Sequence, residues 1–401
     1  MPVKQIPSSQ IEFGMYVSGL DRPWVETPFL FQGFEVQTQQ EIDELCRLTK
    51  YVYIMVPDEE IELEVLPLED TEALQTSKIL HQTTYQDTVT ADEEVKKVQS
   101  SHETVTQMFT EIESLVQSGG KVRLEIFEQP VKHMVDSVVK NPDAYLWLTR
   151  LRKFDSFLYK DALTAAVWGT ALGRQLGIPA QELETLATGC MLMDIGKLAL
   201  PIELLHKPTR LEHEEWELIK THVELGLGLL EGRPDCSPAI LNIIRTHHER
   251  LDGCGYPAGL RGHQIPLFGQ IAGIVDQYVA VTSTRPFAKA ISPSKAEDML
   301  YKQRGVLFDE ILVEYFIQTL NVYPTGSLVE LSTGEVAIVK AQKSGLNLKP
   351  DVILLLDPNK QPYGTYTFVS LDNYSKDNMP VMIIKTLADG DYGVTIEELS
   401  L

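Results

Sequence analysis

The run from His247 to Pro257 places two adjacent histidines immediately before a glycine-rich turn. Adjacent histidines at the end of a helix project in different directions, so both can face one metal ion only where the backbone bends. Gly253 and Gly255 tolerate positive φ angles and Pro257 cannot continue a helix, so the run can form that bend. Taken alone, a histidine pair beside a turn is more often a polar surface feature than a pair of metal ligands.

The composition is that of a globular protein with a strong excess of negative charge. The chain has 401 residues, enough for two or three domains, and its formal net charge is −22. Such a charge argues against DNA or anionic membranes as partners, although a local cation or a metal can reverse the field inside one pocket. No apolar run approaches the roughly 20 residues that cross a bilayer, and the N-terminus lacks the apolar core of a signal peptide. We therefore expect a soluble cytoplasmic protein with no membrane span.

Changes in hydrophobic periodicity divide the chain into four parts. Residues 1–70 alternate β-like runs with a helical stretch, and their aromatic side chains could form either a small core or a ligand pocket. Residues 71–143 are predicted to be a linker and two coupling helices, residues 144–320 a helical bundle, and residues 321–401 a small β-rich domain with a core of its own. The predicted fold class is multidomain α+β, an all-α bundle flanked by a small N-terminal α+β domain and a small C-terminal β-rich domain.

Three single polar residues in apolar helical segments of the bundle are further candidate metal ligands, namely Asp194, His222 and Asp276. A carboxylate on an apolar helix face is costly unless it is paired or bound to metal. For Asp194 the local sequence leaves two alternatives open, a metal ligand or a salt bridge with Lys197 three residues later. A lone histidine such as His222 is usually a satisfied core or surface residue. Together with the histidine pair, these side chains could supply imidazole and carboxylate ligands to a metal centre.

The complete run at 247–257 resembles the signature of the HD-GYP family, metal-dependent phosphodiesterases that act on the bacterial second messenger cyclic di-GMP. The resemblance extends over residues 145–320, and it includes Met-Asp-Ile-Gly-Lys at 193–197 and Arg-Pro-Phe at 285–287. The first 70 residues resemble an uncharacterised domain that often precedes HD-GYP domains.

The resemblance implies a role for each candidate residue. Asp194 would bridge two metal ions and act with Lys197 beside the scissile phosphate, and the guanidinium of Arg285 would bind a phosphate. Arg250 and Arg261 are further candidates for phosphate binding, although a solvated charge is the default expectation for both. The implied metals are divalent transition ions, iron or manganese. The implied metal ligands are Asp194, His222, His247, His248, Asp276 and Asp161. The implied substrate-binding residues are Arg285, Gly253, Gly255, Tyr256 and Pro257.

Three departures from the family pattern fall on one of the two implied metal sites. Met193 replaces the histidine of the family's His-Asp doublet, and Asp161 stands where the family has an upstream histidine. Phe157, one helical turn earlier, takes the place of an acidic ligand. A thioether is a poor ligand for such ions, so we expect one sound metal site and one weakened site that is richer in oxygen.

Two functions are compatible with this pattern. The first is a cyclic di-GMP phosphodiesterase with reduced activity. The second is an HD-GYP-like module that has lost turnover and binds a nucleotide, or a signalling protein through its Gly-Tyr-Pro surface. The ligands that are present favour the enzyme, whereas Met193, Asp161 and Phe157 favour the binding module. In the first case the partner is cyclic di-GMP or a related cyclic dinucleotide.

Overall fold

The structure is a computed structural model of the chain, and it describes most of the sequence. The described residues are 3–12, 14–20, 34–36, 39–55, 80–151, 157–209, 211–230, 236–285, 288–342, 348–376 and 379–399. They belong to two compact units, Met1–Glu69 and Asp70–Leu401, and each is described by itself below. Among the described helices, none is both long and apolar enough to cross a membrane.

The first unit contains a four-stranded antiparallel sheet and a helix. Its elements are β1 (Val3–Pro7), β2 (Tyr16–Leu20), β3 (Phe34–Glu35), α1 (Gln39–Leu48) and β4 (Tyr51–Met55), and the strand order is β1-β4-β2-β3. Because the side chains of a strand alternate between its two faces, Val52 and Ile54 of β4 both turn inward, where they pack with Leu45 of α1. This is the mixture of strands and helix that the sequence predicts. Most of the predicted aromatic core or pocket falls in residues 21–33, outside the described residues.

The second unit is built mainly of helices. They are α2 (Ala91–Gln117), α3 (Glu125–Lys140), α4 (Pro142–Leu151), α5 (Phe157–Gln175), α6 (Ala180–Leu192), α7 (Ile202–Leu205), α8 (His213–Lys220), α9 (His222–Leu230), α10 (Pro238–Thr246), α11 (Leu267–Thr282), α12 (Pro293–Gln303) and α13 (Glu310–Leu320). In their shared apolar core, Trp168 of α5, Tyr278 of α11 and Phe316 of α13 meet edge to face, with ring centroids 5.3–5.9 Å apart. The predicted helical core is confirmed.

The two helices that were predicted to couple domains pack into this same core. A capping box starts α2, because the Glu93 amide donates to the Thr90 hydroxyl and the Thr90 amide donates to the Glu93 carboxylate. Ile112 of α2 and Met134 of α3 are fully buried among the residues of the bundle. Both helices therefore belong to the interior of the helical unit as well as linking its neighbours along the chain.

A five-stranded antiparallel sheet follows the last helix. Its strands are β5 (Leu328–Leu331), β6 (Val336–Ala341), β7 (Asp351–Leu356), β8 (Pro362–Ser370) and β11 (Ile383–Leu387), in the order β11-β5-β6-β7-β8, while β9 (Ser375–Lys376) and β10 (Met379–Pro380) form a separate pair. Two apolar clusters cover its faces, and Trp147 of α4 belongs to one of them. Asp143, also on α4, accepts hydrogen bonds from the Thr325 hydroxyl at 2.6 Å and the Gln342 amide at 2.9 Å. The sheet therefore lacks a core wholly of its own, since it buries part of one face against a helix.

Candidate metal centre

Four side chains of the helical unit converge on one point, those of Asp194, His222, His247 and His248. Each offers one ligand atom, and these atoms all lie within 4.8 Å of one another. His222 and His247 are fully buried, and the side chains of Asp194 and His248 are each 14% exposed. The structure thus brings together four of the six predicted metal ligands.

The local backbone explains why Asp194 and His222 meet. Asp194 lies in the turn between α6 and a short 3-10 helix, Ile195–Ala199. This turn packs so closely on the start of α9 that a Cβ on Gly196 would lie 1.9 Å from the His222 carbonyl oxygen. Only glycine allows that approach, which holds Asp194 beside His222. The histidine pair follows the last turn of α10.

Hydrogen bonds to the backbone orient the two fully buried histidine rings. Nδ1 of His222 donates to the Ile219 carbonyl oxygen at 2.7 Å, and Nδ1 of His247 donates to the Ile244 carbonyl oxygen at 2.8 Å. A carbonyl oxygen can only accept, so Nδ1 of each ring carries a proton and Nε2 is the nitrogen left to act as an acceptor. Metal-ligating histidines are commonly held in this way.

Three acceptor atoms consequently face one another. His222 Nε2 lies 3.4 Å from His247 Nε2 and 3.2 Å from Asp194 Oδ1, and His247 Nε2 lies 3.7 Å from that oxygen. Among the described atoms, Asp194 Oδ1 has no hydrogen-bond donor. Lone pairs held this close repel one another unless a cation lies between them. Ligands about 2.1 Å from a tetrahedral ion are about 3.4 Å apart, so the spacing fits a bound divalent metal.

The two oxygens of Asp194 serve different neighbours. Oδ2 accepts from Lys197 Nζ at 2.6 Å, whereas Oδ1 faces the histidines. Burial alone would raise the pKa of Asp194, but the neighbouring Lys197 ammonium opposes this effect, and that pKa is held well below its usual range. Asp194 is therefore an anion at neutral pH. The alternatives that the sequence leaves open, a metal ligand and a salt bridge with Lys197, can both hold in this structure.

His248 reaches the cluster from a stack with Tyr256, in which the ring centroids are 4.5 Å apart. Its Nδ1 lies 3.6 Å from Asp276 Oδ2, and its Nε2 is buried with no hydrogen-bond partner among the described residues. Burial and the neighbouring histidines hold the pKa of His248 well below its usual value, so the ring is neutral and able to bind a metal. Asp276 lies next to the cluster but is not one of the four converging residues.

The Gly-Tyr-Pro turn is held tightly against the end of α10. Gly253 has a φ of +80°, and a Cβ on Gly255 would lie 2.5 Å from the Arg250 backbone nitrogen. Both carboxylate oxygens of the buried Glu249 accept hydrogen bonds from backbone amides of the turn, at 2.7 and 2.9 Å. The glycines therefore shape the turn that carries Tyr256. Contact of these residues and the exposed Pro257 with substrate stays a prediction.

Asp161 and Arg285, predicted to bind metal and phosphate, bind each other. Arg285 Nη2 donates to Asp161 Oδ2 at 2.8 Å, and the two side chains are 16% and 9% exposed. Asp161 is absent from the converging group, and its role as a metal ligand stays a prediction. Met193 is buried at the end of α6. The side chain of Phe157 and the residues at 286–287 lie outside the described part of the chain.

Two charged residues between the histidines and the turn have roles that the sequence did not predict. Glu249 was not singled out, and the expectation that Arg250 is a solvated charge is wrong. Arg250 Nη1 donates to the carbonyl oxygens of His247 and Glu249 at 2.9 and 2.8 Å, and its guanidinium lies 4.8 Å from the centroid of the Phe308 ring. The feature that could have predicted their contacts is their position in a short segment, between the histidine pair and the glycine-rich turn, that must fold back on the histidines.

Comparison with known proteins agrees with this site. The profile of the HD domain family matches residues 150–312, and that of a domain of unknown function, DUF3391, matches residues 3–126. The cyclic di-GMP phosphodiesterase PA4108 of Pseudomonas aeruginosa is 29% identical over 360 residues, which cover 87% of this chain and 84% of the relative. Residues 150–312 thus match the HD domain family, and the chain is similar to a cyclic di-GMP phosphodiesterase over most of its length. The matched HD segment includes every residue of the candidate metal centre.

Other relatives match the chain over shorter lengths. The cyclic di-GMP phosphodiesterase response regulator RpfG of Xanthomonas campestris is 36% identical over 148 residues, 37% of this chain and 39% of the relative. The 3′3′-cGAMP-specific phosphodiesterase 2 of Vibrio cholerae is 32% identical over 154 residues, 38% of this chain and 30% of the relative. A solved structure, Bd1817, an HDG"Y"P protein from Bdellovibrio bacteriovorus, has a TM-score of 0.46 and 16% identity, covering 80% of this chain and 99% of that one.

Proposed function

We propose that this chain is a metal-dependent phosphodiesterase that hydrolyses cyclic di-GMP, with activity reduced because one of the family's metal sites is altered. The observation that carries the proposal is the set of three facing acceptor atoms on Asp194, His222 and His247, which fits a divalent metal. Two relatives named as cyclic di-GMP phosphodiesterases support the substrate. A relative specific for 3′3′-cGAMP makes that molecule the second substrate to test.

Each side chain of the centre has a chemical task in this reaction. Asp194 and the three histidines would hold the metal, and iron or manganese suits this mixture of carboxylate and imidazole. When bound, a divalent ion lowers the pKa of water and neutralises charge on a phosphate. Lys197 keeps its ammonium 2.6 Å from Asp194 Oδ2, where it stabilises negative charge that develops on the phosphate. Hydrolysis adds one water across a P–O3′ bond, which leaves a 5′-phosphate and a 3′-hydroxyl on the opened ring.

The proposal extends to the layout and location of the protein. We place a domain boundary near residue 70, and the compact first unit that ends at Glu69 supports it. The boundaries predicted near residues 143 and 320 lie within the second unit, where the coupling helices and the sheet both pack against helices of the bundle. A cytoplasmic location is supported by the proposed substrate, because an enzyme that destroys a second messenger must meet it inside the cell.

Turnover by the full-length chain loaded with Mn²⁺ tests this function. We expect consumption of cyclic di-GMP that stops when EDTA removes the metal, with cyclic GMP-AMP assayed in parallel. His247→Ala removes one of the three facing acceptor atoms. It should therefore lower both bound Mn²⁺ and turnover, and turnover should fall by more than about 100-fold. His213→Ala is the matched control, because it removes an exposed histidine at the start of α8 and should preserve both.

The alternative is a binding module without turnover, and the ion pair at Asp161 and the buried thioether at Met193 favour it. It predicts that wild type binds cyclic di-GMP without consuming it and that binding survives EDTA. Equal turnover in wild type and His247→Ala would instead show that the reaction does not use this centre.

A further inference from the structure

Two charged side chains of α8 lie beside the metal-binding group. Lys220 Nζ is 5.6 Å from the centroid of the Tyr256 ring, and that ring stacks on His248 with 4.5 Å between the ring centroids. Glu217 Oε1 accepts a hydrogen bond from Lys220 Nζ at 2.7 Å. Two contacts therefore separate this charged pair from a metal-binding histidine. A nucleotide can bridge that gap, with its phosphate at the histidines and its base at the pair.

The charged pair is open to solvent, unlike the histidines. The side chains of Lys220 and Glu217 are 30% and 50% exposed, whereas His222, two residues after Lys220, is fully buried. The hydrogen bond from Lys220 lowers the pKa of Glu217, so both groups are charged at neutral pH. An exposed ion pair of this kind adds little to stability. A ligand that enters from solvent meets a cation and an anion held side by side.

The chemistry of the pair suits a nucleobase better than a phosphate. A carboxylate this close to the ammonium repels phosphate oxygens. Guanine presents the acceptor O6 beside the donors N1–H and N2–H, and an ammonium next to a carboxylate matches all three. Adenine presents one donor group, the N6 amino group, beside the acceptor N1, and it has no N2 amino group. The pair can therefore bind guanine through more hydrogen bonds than adenine.

An exposed aromatic residue accompanies the pair on α8. Trp216 comes four residues before Lys220, so the two residues are neighbours on one side of the helix. Trp216 is 43% exposed, although it is a large apolar residue. Proteins commonly bind bases on aromatic side chains, because every base has a π face that can stack. The indole thus offers a surface on which a base can lie while its edge meets the charged pair.

We infer that Glu217 and Lys220 determine base specificity by binding the Watson–Crick edge of one guanine of the substrate, while Trp216 stacks on that base. That the ligand is a cyclic dinucleotide rests on the proposed function. One guanine is sufficient, so cyclic di-GMP and cyclic GMP-AMP are both accepted and cyclic di-AMP is rejected. The three side chains touch the base and not the reacting phosphate, so they act on substrate affinity and leave the metal centre intact.

Binding of two hydrolysis-resistant ligands tests this inference without turnover. The ligands are phosphorothioate analogues of cyclic di-GMP and cyclic di-AMP, titrated by calorimetry into the full-length chain loaded with Mn²⁺. Wild type should bind the guanine ligand more tightly. Glu217→Gln and Lys220→Met should each weaken that binding on the order of 10–100-fold, because each removes a charge-assisted hydrogen bond to guanine. Both variants should leave binding of the adenine ligand nearly unchanged.

A second ion pair that includes α8 provides matched controls. Lys207 Nζ lies 2.6 Å from Glu215 Oε2, and these side chains are 26% and 31% exposed. Glu215→Gln and Lys207→Met remove the same charges as the test variants, and both should bind the two ligands as wild type does. Mn²⁺ content should equal that of wild type in every variant. A fall in Mn²⁺ content in Glu217→Gln would assign its effect to the metal centre and overturn the inference.

Stacking is tested separately at Trp216. Trp216→Ala should weaken both ligands about equally, on the order of 10-fold, because stacking does not distinguish one base from another. Trp216→Phe retains an aromatic face and should recover most of the lost affinity. Unchanged binding of both ligands by Trp216→Ala would remove the indole from base binding.

The outcomes separate this inference from the proposed function. Equal affinity of wild type for the two ligands, binding of neither, or an unchanged preference in Glu217→Gln would overturn base recognition by the pair. Turnover of cyclic di-GMP beside any of these results would preserve the phosphodiesterase. A preference for guanine that depends on Glu217, in a chain without turnover, would support the inference and refute the enzyme.

Discussion

We expect Met193 to limit how many metal ions this centre can hold, because its buried thioether stands where the HD-GYP pattern has an imidazole. Met193→His alone should leave one Mn²⁺ per chain, since Asp161 stays bound to Arg285. Met193→His with Asp161→His supplies two imidazoles and should raise the count toward two, with turnover raised about 10–100-fold. Metal analysis and chromatography of the products check both values. An unchanged count in the double variant would mean that positions 161 and 193 do not face the site.

At the scale of single residues, the sequence predicts the metal-binding side chains better than it predicts which charged side chains pair with each other. Asp194, His222 and the histidine pair are implied as ligands by the resemblance to the HD-GYP pattern, and the structure brings them together. The ion pair of Asp161 and Arg285 joins positions 124 residues apart. Nothing local to Asp161 distinguishes a carboxylate that binds metal from one that binds a distant guanidinium, so this pair could not be predicted.

At the scale of elements, the turn after α10 sets the position of Tyr256 and through it of His248. Gly255→Ala should break this arrangement, because its Cβ would lie 2.5 Å from the Glu249 Cα and the Arg250 nitrogen, which are backbone atoms. We expect a loss of about 2–4 kcal/mol in unfolding free energy and reduced Mn²⁺ content. Gly228→Ala in α9 is the control, since its Cβ would meet nothing within 4 Å. Equal denaturant midpoints for the two variants would contradict the close packing of the turn.

The helices and strands themselves could largely be predicted from hydrophobic periodicity, but the elements that pack against them could not. Apolar spacing predicts that α2 and α3 each have a buried face. Their position between two predicted domains led us to expect helices that couple those domains. Ile112 and Met134 instead lie in the same core as the metal-binding helices. A hydrophobic pattern indicates that one face of an element is buried, but it does not indicate which other element packs against that face.

At the scale of the whole molecule, stability should depend on pH through Glu297 of α12. Burial raises the pKa of Glu297 to about 8, and Oε1 has no hydrogen-bond partner among the described residues. An acid whose pKa is higher in the folded chain than in the unfolded chain holds its proton better when folded, so stability falls as pH rises from about 5 to about 8. Denaturant titrations at pH 5, 7 and 9 should show Glu297→Gln gaining about 2–4 kcal/mol over wild type at pH 9. Asp298→Asn, a change at an exposed neighbour, should follow wild type at every pH.

The C-terminal sheet is stabilised in part by residues that belong to α4. Asp143 is buried, burial raises its pKa, and its carboxylate accepts from Thr325 and Gln342. Trp147 packs into a cluster with strands of the sheet. A chain that ends at Asn321 loses both hydrogen-bond donors and exposes the indole, so the sheet and the helices should unfold together in the full-length protein.

Truncation at Asn321 should therefore lower the melting temperature of the helical unit, although no residue of the sheet belongs to the metal-binding group. Thr325→Val in the full-length chain isolates one part of the effect, because it removes the hydroxyl that donates to Asp143 at 2.6 Å and should cost about 1–3 kcal/mol. Calorimetry of both proteins, with Mn²⁺ content measured beside it, checks the prediction. Two separate transitions in the full-length chain, with the truncated protein melting at the temperature of one of them, would show that the sheet folds on a core of its own, as its sequence pattern predicts.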